Sequence, residues 1–344
     1  MLRNAGIRAQ SKNSGYAKVE IYSCSRCGLC LDPCQMVAAA RLRDNATISF
    51  TRNVRWWNYS ESRRNASYCL MCDRCVQACP VGIDSVKLKL NVKNLSQDLY
   101  ADDQYDYLSK VEHSPANVDV LYFAGCMTHL TPNTKRAMQK ILHASGDRFQ
   151  LMDEEASICC GRPLMQAGEE QAAQALIAKN TELINASGAK ALVTSCPICY
   201  KVFKDTYQFN IPVLHHTEYI ANLLDTKKLE LRKGEQRVVF HDSCELGRHS
   251  GVYEQPRKIL NATSRRIATE CDDKNALCCG GSIATEAMPF KKRRLIAEDA
   301  LLKMTAATQP DYLVTACPSC KKTFADLNLT EVKDIAEVVA EQMK

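Results

Sequence analysis

Eighteen of the nineteen cysteines in this chain fall into four groups whose spacing suits metal binding. Cys24, Cys27, Cys30 and Cys34 follow C-x2-C-x2-C-x3-C, and Cys69, Cys72, Cys75 and Cys79 repeat that pattern, ending in Cys-Pro. Three thiolates on one tight loop can take three corners of an iron–sulfur cube, but the same loop does not easily reach the fourth, so the last cysteine of each run serves the other cluster. The expectation is one [4Fe-4S] cluster on Cys24, Cys27, Cys30 and Cys79, and a second on Cys69, Cys72, Cys75 and Cys34. Zinc would ask for paired C-x2-C knuckles, which three evenly spaced cysteines do not form. In the first run Gln35 follows Cys34 and the proline stands before it, at Pro33.

The other two groups each hold five cysteines: Cys126, Cys159, Cys160, Cys196 and Cys199, then Cys244, Cys278, Cys279, Cys317 and Cys320. A cubane takes four protein ligands. Either one thiol in each set is a spectator, or the cluster is not a plain cube and one thiolate bridges two irons. The adjacent pairs Cys159–Cys160 and Cys278–Cys279 favour the second reading. Neighbours on an extended chain point to opposite faces, so aiming both sulfurs at one place needs a sharp turn. Gly161 and Gly280 can take the backbone angles of such a turn. "CPIC" and "CPSC" could alone be redox dithiols, but a dithiol does not need three further cysteines at matched spacing in both copies. Cys271 is left over as a packing thiol.

What must position these residues is a duplicated domain. "VDVLYFAGC" answers "RVVFHDSC", "ICCGRP" answers "LCCGGS", and "ALVTSCPICYKVF" answers "YLVTACPSCKKTF", at offsets of 118 to 121 residues. In each half, short apolar runs ending at a cysteine (Val118 to Cys126, Ala191 to Cys196) alternate with helical stretches such as "TKRAMQKILHA" and "EEQAAQALIAKNTELINAS". That alternation predicts α/β halves in which strand ends present the ligands. The polar stretch from Lys87 to Asn117 is expected to be a connector. The fold class is α+β multidomain, with an N-terminal helical two-cluster domain over residues 1–100 and duplicated α/β domains over 118–230 and 236–344. Trp56 and Trp57, in the insert between the first two cysteine runs, are expected to pack in a core or shield a cluster.

A chain of 344 residues with 46% hydrophobic and 24% charged residues is long enough for two or three cored domains. The first twenty residues carry no apolar signal core, so the cysteines are expected to be reduced, cytoplasmic metal ligands. No apolar run reaches the 18 or so residues of a membrane span, so membrane association is expected only through a partner. A net charge of +6 without a broad basic stripe argues against nucleic acid, and "KKRR" (Lys291 to Arg294) is expected to be a solvated helix face. There is no G-x-G-x-x-G nucleotide fingerprint, which assigns any dehydrogenase chemistry to another subunit.

The patterns C-x32-CCG-x34-C-P-x-C and C-x33-CCG-x36-C-P-x-C resemble the paired CCG domains of the heterodisulfide reductase B subunit. The N-terminal segment resembles that enzyme's C subunit, a helical ferredoxin-like protein, and the whole chain is similar to the fused D-type subunit. Iron–sulfur subunits of anaerobic glycerol-3-phosphate dehydrogenase, of glycolate oxidase and lactate-utilisation systems, and of thiol:fumarate reductase are related. The resemblance implies two cubane clusters and two noncubane [4Fe-4S] clusters, one on each five-cysteine set, with a disulfide cleaved between them and Cys160 and Cys279 as catalytic candidates. "HDSCELGR" matches a family stretch and offers His241 as a proton donor. His215 and Glu218 align with Asp334 and Glu337, an expectation either of scaffold work or of support to the cluster ligands from behind. The implied partners are a flavoprotein, a ferredoxin or a dehydrogenase subunit of the same complex, with a membrane subunit or quinone beyond. Two rival readings stand beside this one: an electron conduit between a flavin dehydrogenase and a quinone, and a zinc-bound structural scaffold.

Overall fold

The computed structural model describes residues 24–25, 27–42, 59–94, 117–154, 158–167, 169–281 and 288–344. The chain divides into one unit of Met1–Gln97 with Ser282–Ile296, and another of Asp98–Gly281 with Ala297–Lys344. Trp56 and Trp57 lie outside the described residues.

In the first unit, short helices punctuate the cysteine runs: α1 (Gln35–Ala38), α2 (Tyr59–Ser67), α3 (Arg74–Gln77) and α4 (Ser85–Asn94). Around Cys72 the chain turns through Met71 and Asp73, both in the left-handed region at φ 54° and 62°. Non-glycine residues hold that conformation at a cost of order 1 kcal/mol each, and here it curls the Cys69–Cys75 loop tightly. Helix α4 buries Leu88 between Ala66 and Ile83, with Cys24, Cys79 and Val92 packed against them. The connector expected from Lys87 therefore begins later. The segment "SVKLKLNVKN" is helical through Asn94, and it buries Leu88 and Lys89 in the unit's core.

The second unit carries two four-stranded parallel sheets of the same topology. Its elements are β1 (Val120–Phe123), α5 (Cys126–His129), α6 (Pro132–Ala144), β2 (Phe149–Leu151), α7 (Arg162–Ala167), α8 (Glu170–Ala186), β3 (Ala191–Thr194), α9 (Pro197–Thr206), β4 (Val213–His215) and α10 (His216–Asp225). The second half continues with β5 (Arg237–His241), α11 (Glu254–Thr263), β6 (Arg265–Ile267), α12 (Phe290–Thr305), β7 (Tyr312–Thr315), α13 (Pro318–Ala325), β8 (Val332–Asp334) and α14 (Ile335–Gln342). Strand order is β2-β1-β3-β4 and β6-β5-β7-β8. Parallel strands covered on both faces read as apolar runs, and "VLYF" and "YLVT" are buried at every position. Pro197 and Pro318 start their helices directly after Cys196 and Cys317, where the missing N–H costs nothing.

The halves meet through equivalent helices. α6 packs on α14, and α11, the counterpart of α6, packs on α10, the counterpart of α14. Each half thus presents the same surface to the other, as in a two-fold dimer. One core runs through this contact, from Ile141, Leu142, Ile220 and Leu223 to Ile259, Leu260, Val338 and Val339.

Candidate metal centre

The loop curled around Cys72 brings a distant cysteine to it. Burial pushes the Cys34 thiol up to about 12, with Lys89 drawing it down and the charges of Cys75, Cys72 and Cys69 adding to the rise. Cys34 therefore stands with the second run, while Cys24 and Cys79 both pack against the Ala66, Ile83 and Leu88 cluster. Donors face the sulfurs: Ile83 N–H donates to Cys79 Sγ at 3.4 Å, Met71 N–H to Cys69 Sγ at 3.5 Å, and the Lys89 ammonium to Cys69 Sγ at 3.6 Å. The Cys75 thiol and the Ser85 hydroxyl lie 3.0 Å apart. Such donors favour the thiolate, the form that binds metal. Burial disfavours the Lys89 charge, but Cys69, Cys75 and Cys34 outweigh it and hold the ammonium above its ordinary range. Lys89 escaped the cysteine-based reading. Its signal is a lysine on the apolar face of a helix, beside Leu88 and four residues after Ser85.

In the second unit the sheets deliver the cysteines. β1 ends at Phe123, Gly125 turns the chain at φ 83°, and Cys126 opens α5. A Cβ on Gly125 would come within 3.1 Å of Cys199 Sγ and 3.3 Å of Cys196 Cβ, so only glycine lets this turn lie against the "CPIC" helix start. The doublets turn at glycines as expected, Gly161 at φ 91° and Gly280 at φ 78°. Their N–H groups donate back to Cys159 Sγ at 3.4 Å and Cys278 Sγ at 3.5 Å.

The five thiols of each half come together. In the first, Cys160 contacts Cys159 and Cys199, Cys199 contacts Cys196, and Cys126 senses the charges of Cys196 and Cys160. In the second, Cys279 contacts Cys278 and Cys320, Cys320 contacts Cys317, and Cys244 contacts Cys278. Cys271 instead packs at the edge of the second sheet's core. Contacts from Cys159 and Cys199 hold Cys160 well below the ordinary thiol range, and contacts from Cys278 and Cys320 bring Cys279 down to about 5. Among the described residues no three His, Cys, Asp or Glu side chains are disposed to hold a single metal ion.

Backbone carbonyls are held at the first doublet and just ahead of the second. Asn180 donates to Cys159 O at 2.8 Å and Tyr207 to Cys160 O at 3.0 Å. In the second half, His241 Nε2 lies 2.8 Å from Leu277 O, and Arg248 donates to Ala276 O at 2.7 Å. His241 is fully buried and edge-on to Phe324. Burial brings its ring down to about 4, so near neutral pH it is an uncharged ring donating to a carbonyl. His215 and Asp334 cap α10 and α14 in matching capping boxes, with Glu218 and Glu337 reaching back to the cap N–H. This is the scaffold work their alignment implied.

Residues 120–204 and 238–325, together half of the chain, match the cysteine-rich domain family CCG. The chain belongs to the CCG cysteine-rich family. It also matches the 4Fe-4S dicluster domain over residues 20–83. It is 25% identical to the D subunit of the dihydromethanophenazine:CoB–CoM heterodisulfide reductase of Methanosarcina barkeri, over 94% of each chain. It is 22% identical to the B subunit of the CoM/CoB fumarate reductase of Methanothermobacter marburgensis, over 97% of this chain and 78% of that one. Identity reaches 31% with the EtfAB:quinone oxidoreductase of Syntrophomonas wolfei, over 66% of this chain. The chain spans about a third (34%) of that relative's length. It is thus an iron–sulfur protein similar to subunits of heterodisulfide-reductase-like oxidoreductases, with a dicluster domain that implies two [4Fe-4S] clusters and CCG domains of a kind that bind further ones. Among the described residues no helix is long and apolar enough to cross a membrane.

Proposed function

We propose that this chain carries electrons singly through its dicluster domain to the paired CCG sites, where a disulfide is reduced to two thiols by two electrons and two protons. The observation that carries this reading is that both CCG halves have all five cysteines and gather them at one place. The donor sets fit iron–sulfur groups, since thiolates are their ligands and a backbone turned by glycine leaves room beside them. In the first unit Cys24, Cys27, Cys30 and Cys79 hold one cluster and Cys69, Cys72, Cys75 and Cys34 the other. Cys126, Cys159, Cys160, Cys196 and Cys199 form the third site, and Cys244, Cys278, Cys279, Cys317 and Cys320 the fourth. Bound clusters would supply one-electron transfer and, at the CCG sites, a place for each sulfur of the cleaved disulfide. Cys160 and Cys279 act at the reacting sulfurs; His241 holds the Leu277 carbonyl and so positions the second doublet. The electron partner is a flavoprotein, ferredoxin or dehydrogenase subunit in the cytoplasm, with any membrane contact made through a further subunit.

Anaerobic EPR of the oxidised, iron-loaded protein with added thiols tests this. A thiol-dependent paramagnetic signal, broadened by iron-57 and lost in Cys160→Ser or Cys279→Ser, supports it. The similarity to an EtfAB:quinone oxidoreductase favours a second reading, in which the chain conducts electrons between a flavoprotein and a quinone. Intact clusters without any thiol-dependent signal would move the assignment there.

A further inference from the structure

A lysine with only 2% of its surface exposed is uncommon in any protein core, because a desolvated ammonium needs compensating negative charge. Lys89 lies on α4, which packs against the cysteine loops, and its ammonium is 3.6 Å from Cys69 Sγ. Cys75, another cysteine of that run, is contacted by Ser85, one turn earlier on the same helix. α4 thus turns one face, Ser85 and Lys89, onto the sulfurs of the second run. In the first set, Cys79 accepts from the Ile83 backbone N–H, a neutral donor.

We propose that Lys89 is a fixed cation for one of the two dicluster sites, contacting Cys69 to raise the reduction potential of the cluster on Cys34, Cys69, Cys72 and Cys75. The proposal rests on the ligand assignment made above. One-electron reduction adds a unit of negative charge to a cluster, and an ammonium on a ligand sulfur favours the more negative state. Lys89 therefore favours reduction of the cluster that Cys69 would hold. When electrons enter from the partner, the Lys89-side cluster fills more readily than its sulfur ligands alone would allow. Lys89 is a positioning and tuning residue and takes no part in the exchange itself.

The test is an EPR-monitored dithionite titration of the full chain, loaded anaerobically with iron and sulfide, as wild type, Lys89→Met and Lys89→Arg. In Lys89→Met one dicluster couple moves to lower potential, its reduced-to-oxidised ratio at fixed poise falling about tenfold, equivalent to 59 mV for one electron. The other couple stays in place, and Lys89→Arg restores most of the shift. Unchanged couples in an iron-replete Lys89→Met protein overturn the proposal. If Lys89→Met loses iron, wild-type protein labelled with 15N-lysine decides. A nitrogen coupling at one reduced cluster supports the contact, and its absence overturns it. Lack of any dicluster signal in wild type would overturn the ligand assignment itself, and Lys89 with it.

Discussion

Arg162, one glycine after the first cysteine doublet, donates a 3.1 Å hydrogen bond to Glu245, the residue after Cys244. This pair ties the ligand loop of one half to that of the other, with side chains only 16% and 10% exposed. Burial alone would raise the Glu245 carboxyl, but Arg162 and His249, with Lys201 beyond, bring it down to about 2. Removing Arg162 leaves the buried carboxylate with His249 as its close partner, so Arg162→Met is expected to destabilise the unit by about 2 kcal/mol. Arg162→Met combined with Glu245→Gln should recover most of the loss. Thermal unfolding of the two single variants and the double variant, read as a cycle, checks the coupling.

The same pair sets an acid dependence. The folded carboxyl titrates near 2 against an ordinary 4.5, so its contribution is complete above 4.5 and is lost as pH falls towards 2. His241 acts earlier. An unfolded ring takes up a proton below 6.5 and the buried one only near 4, so stability falls across that window, by at most about 1.4 kcal/mol per unit. His215 is likewise held well below 6.5, by burial and by its neighbour His216. Histidine-labelled NMR should find both rings neutral at pH about 5.5, where an ordinary histidine is mostly charged. Rings titrating near 6.5 would contradict the burial.

The repeats have diverged behind their caps. Glu218 accepts from His215 N–H at 2.9 Å and contacts Tyr200 of its own half, whereas Glu337 pairs with Lys321 and also accepts from Thr134 of the other half at 2.8 Å. Glu218→Ala should cost about 1 kcal/mol, the usual worth of a cap. Glu337→Ala should cost about 3 kcal/mol, because Lys321 is left with its charge largely buried. Equal Tm shifts for the two variants would contradict the interface role of Glu337.

Gly161→Ala and Gly280→Ala each put a Cβ on a residue at positive φ, at a cost of roughly 1–2 kcal/mol. The strain falls on the doublet turn, so each variant should lose iron from its own half while the other half keeps its share. Iron analysis of the purified variants measures this directly.

Much of this was legible because cysteine spacing is chemistry written in the chain. The repeat offsets and the runs ending at Cys126, Cys196, Cys244 and Cys317 lead to two parallel sheets whose strand ends deliver thiols. The doublet glycines were readable for the same reason, since two adjacent sulfurs on one side demand a turn. What stayed hidden depends on residues far apart in sequence. Nothing local tells that Arg162 meets Glu245, or that Asn180 and Tyr207 hold the first doublet's carbonyls. A connector beginning at Lys87 overlaps α4, which runs to Asn94, because the lysines of this helix mask an apolar face; Lys89 on that face contacts Cys69. His241 drew attention as a proton donor by its place before Cys244, while burial makes it a neutral ring bonded to Leu277 O.

The central claim is that each set of five thiols holds an iron–sulfur cluster, beside the two of the dicluster domain. Mössbauer spectroscopy of anaerobically prepared, iron-57-loaded protein, with iron, sulfide and zinc quantified on the same sample, tests it most directly. About sixteen irons per chain in four four-iron clusters are expected, with the CCG share lost when Cys160 and Cys279 are both replaced by serine. About eight irons, all in ferredoxin-type cubanes, with zinc at the CCG cysteines, would contradict it.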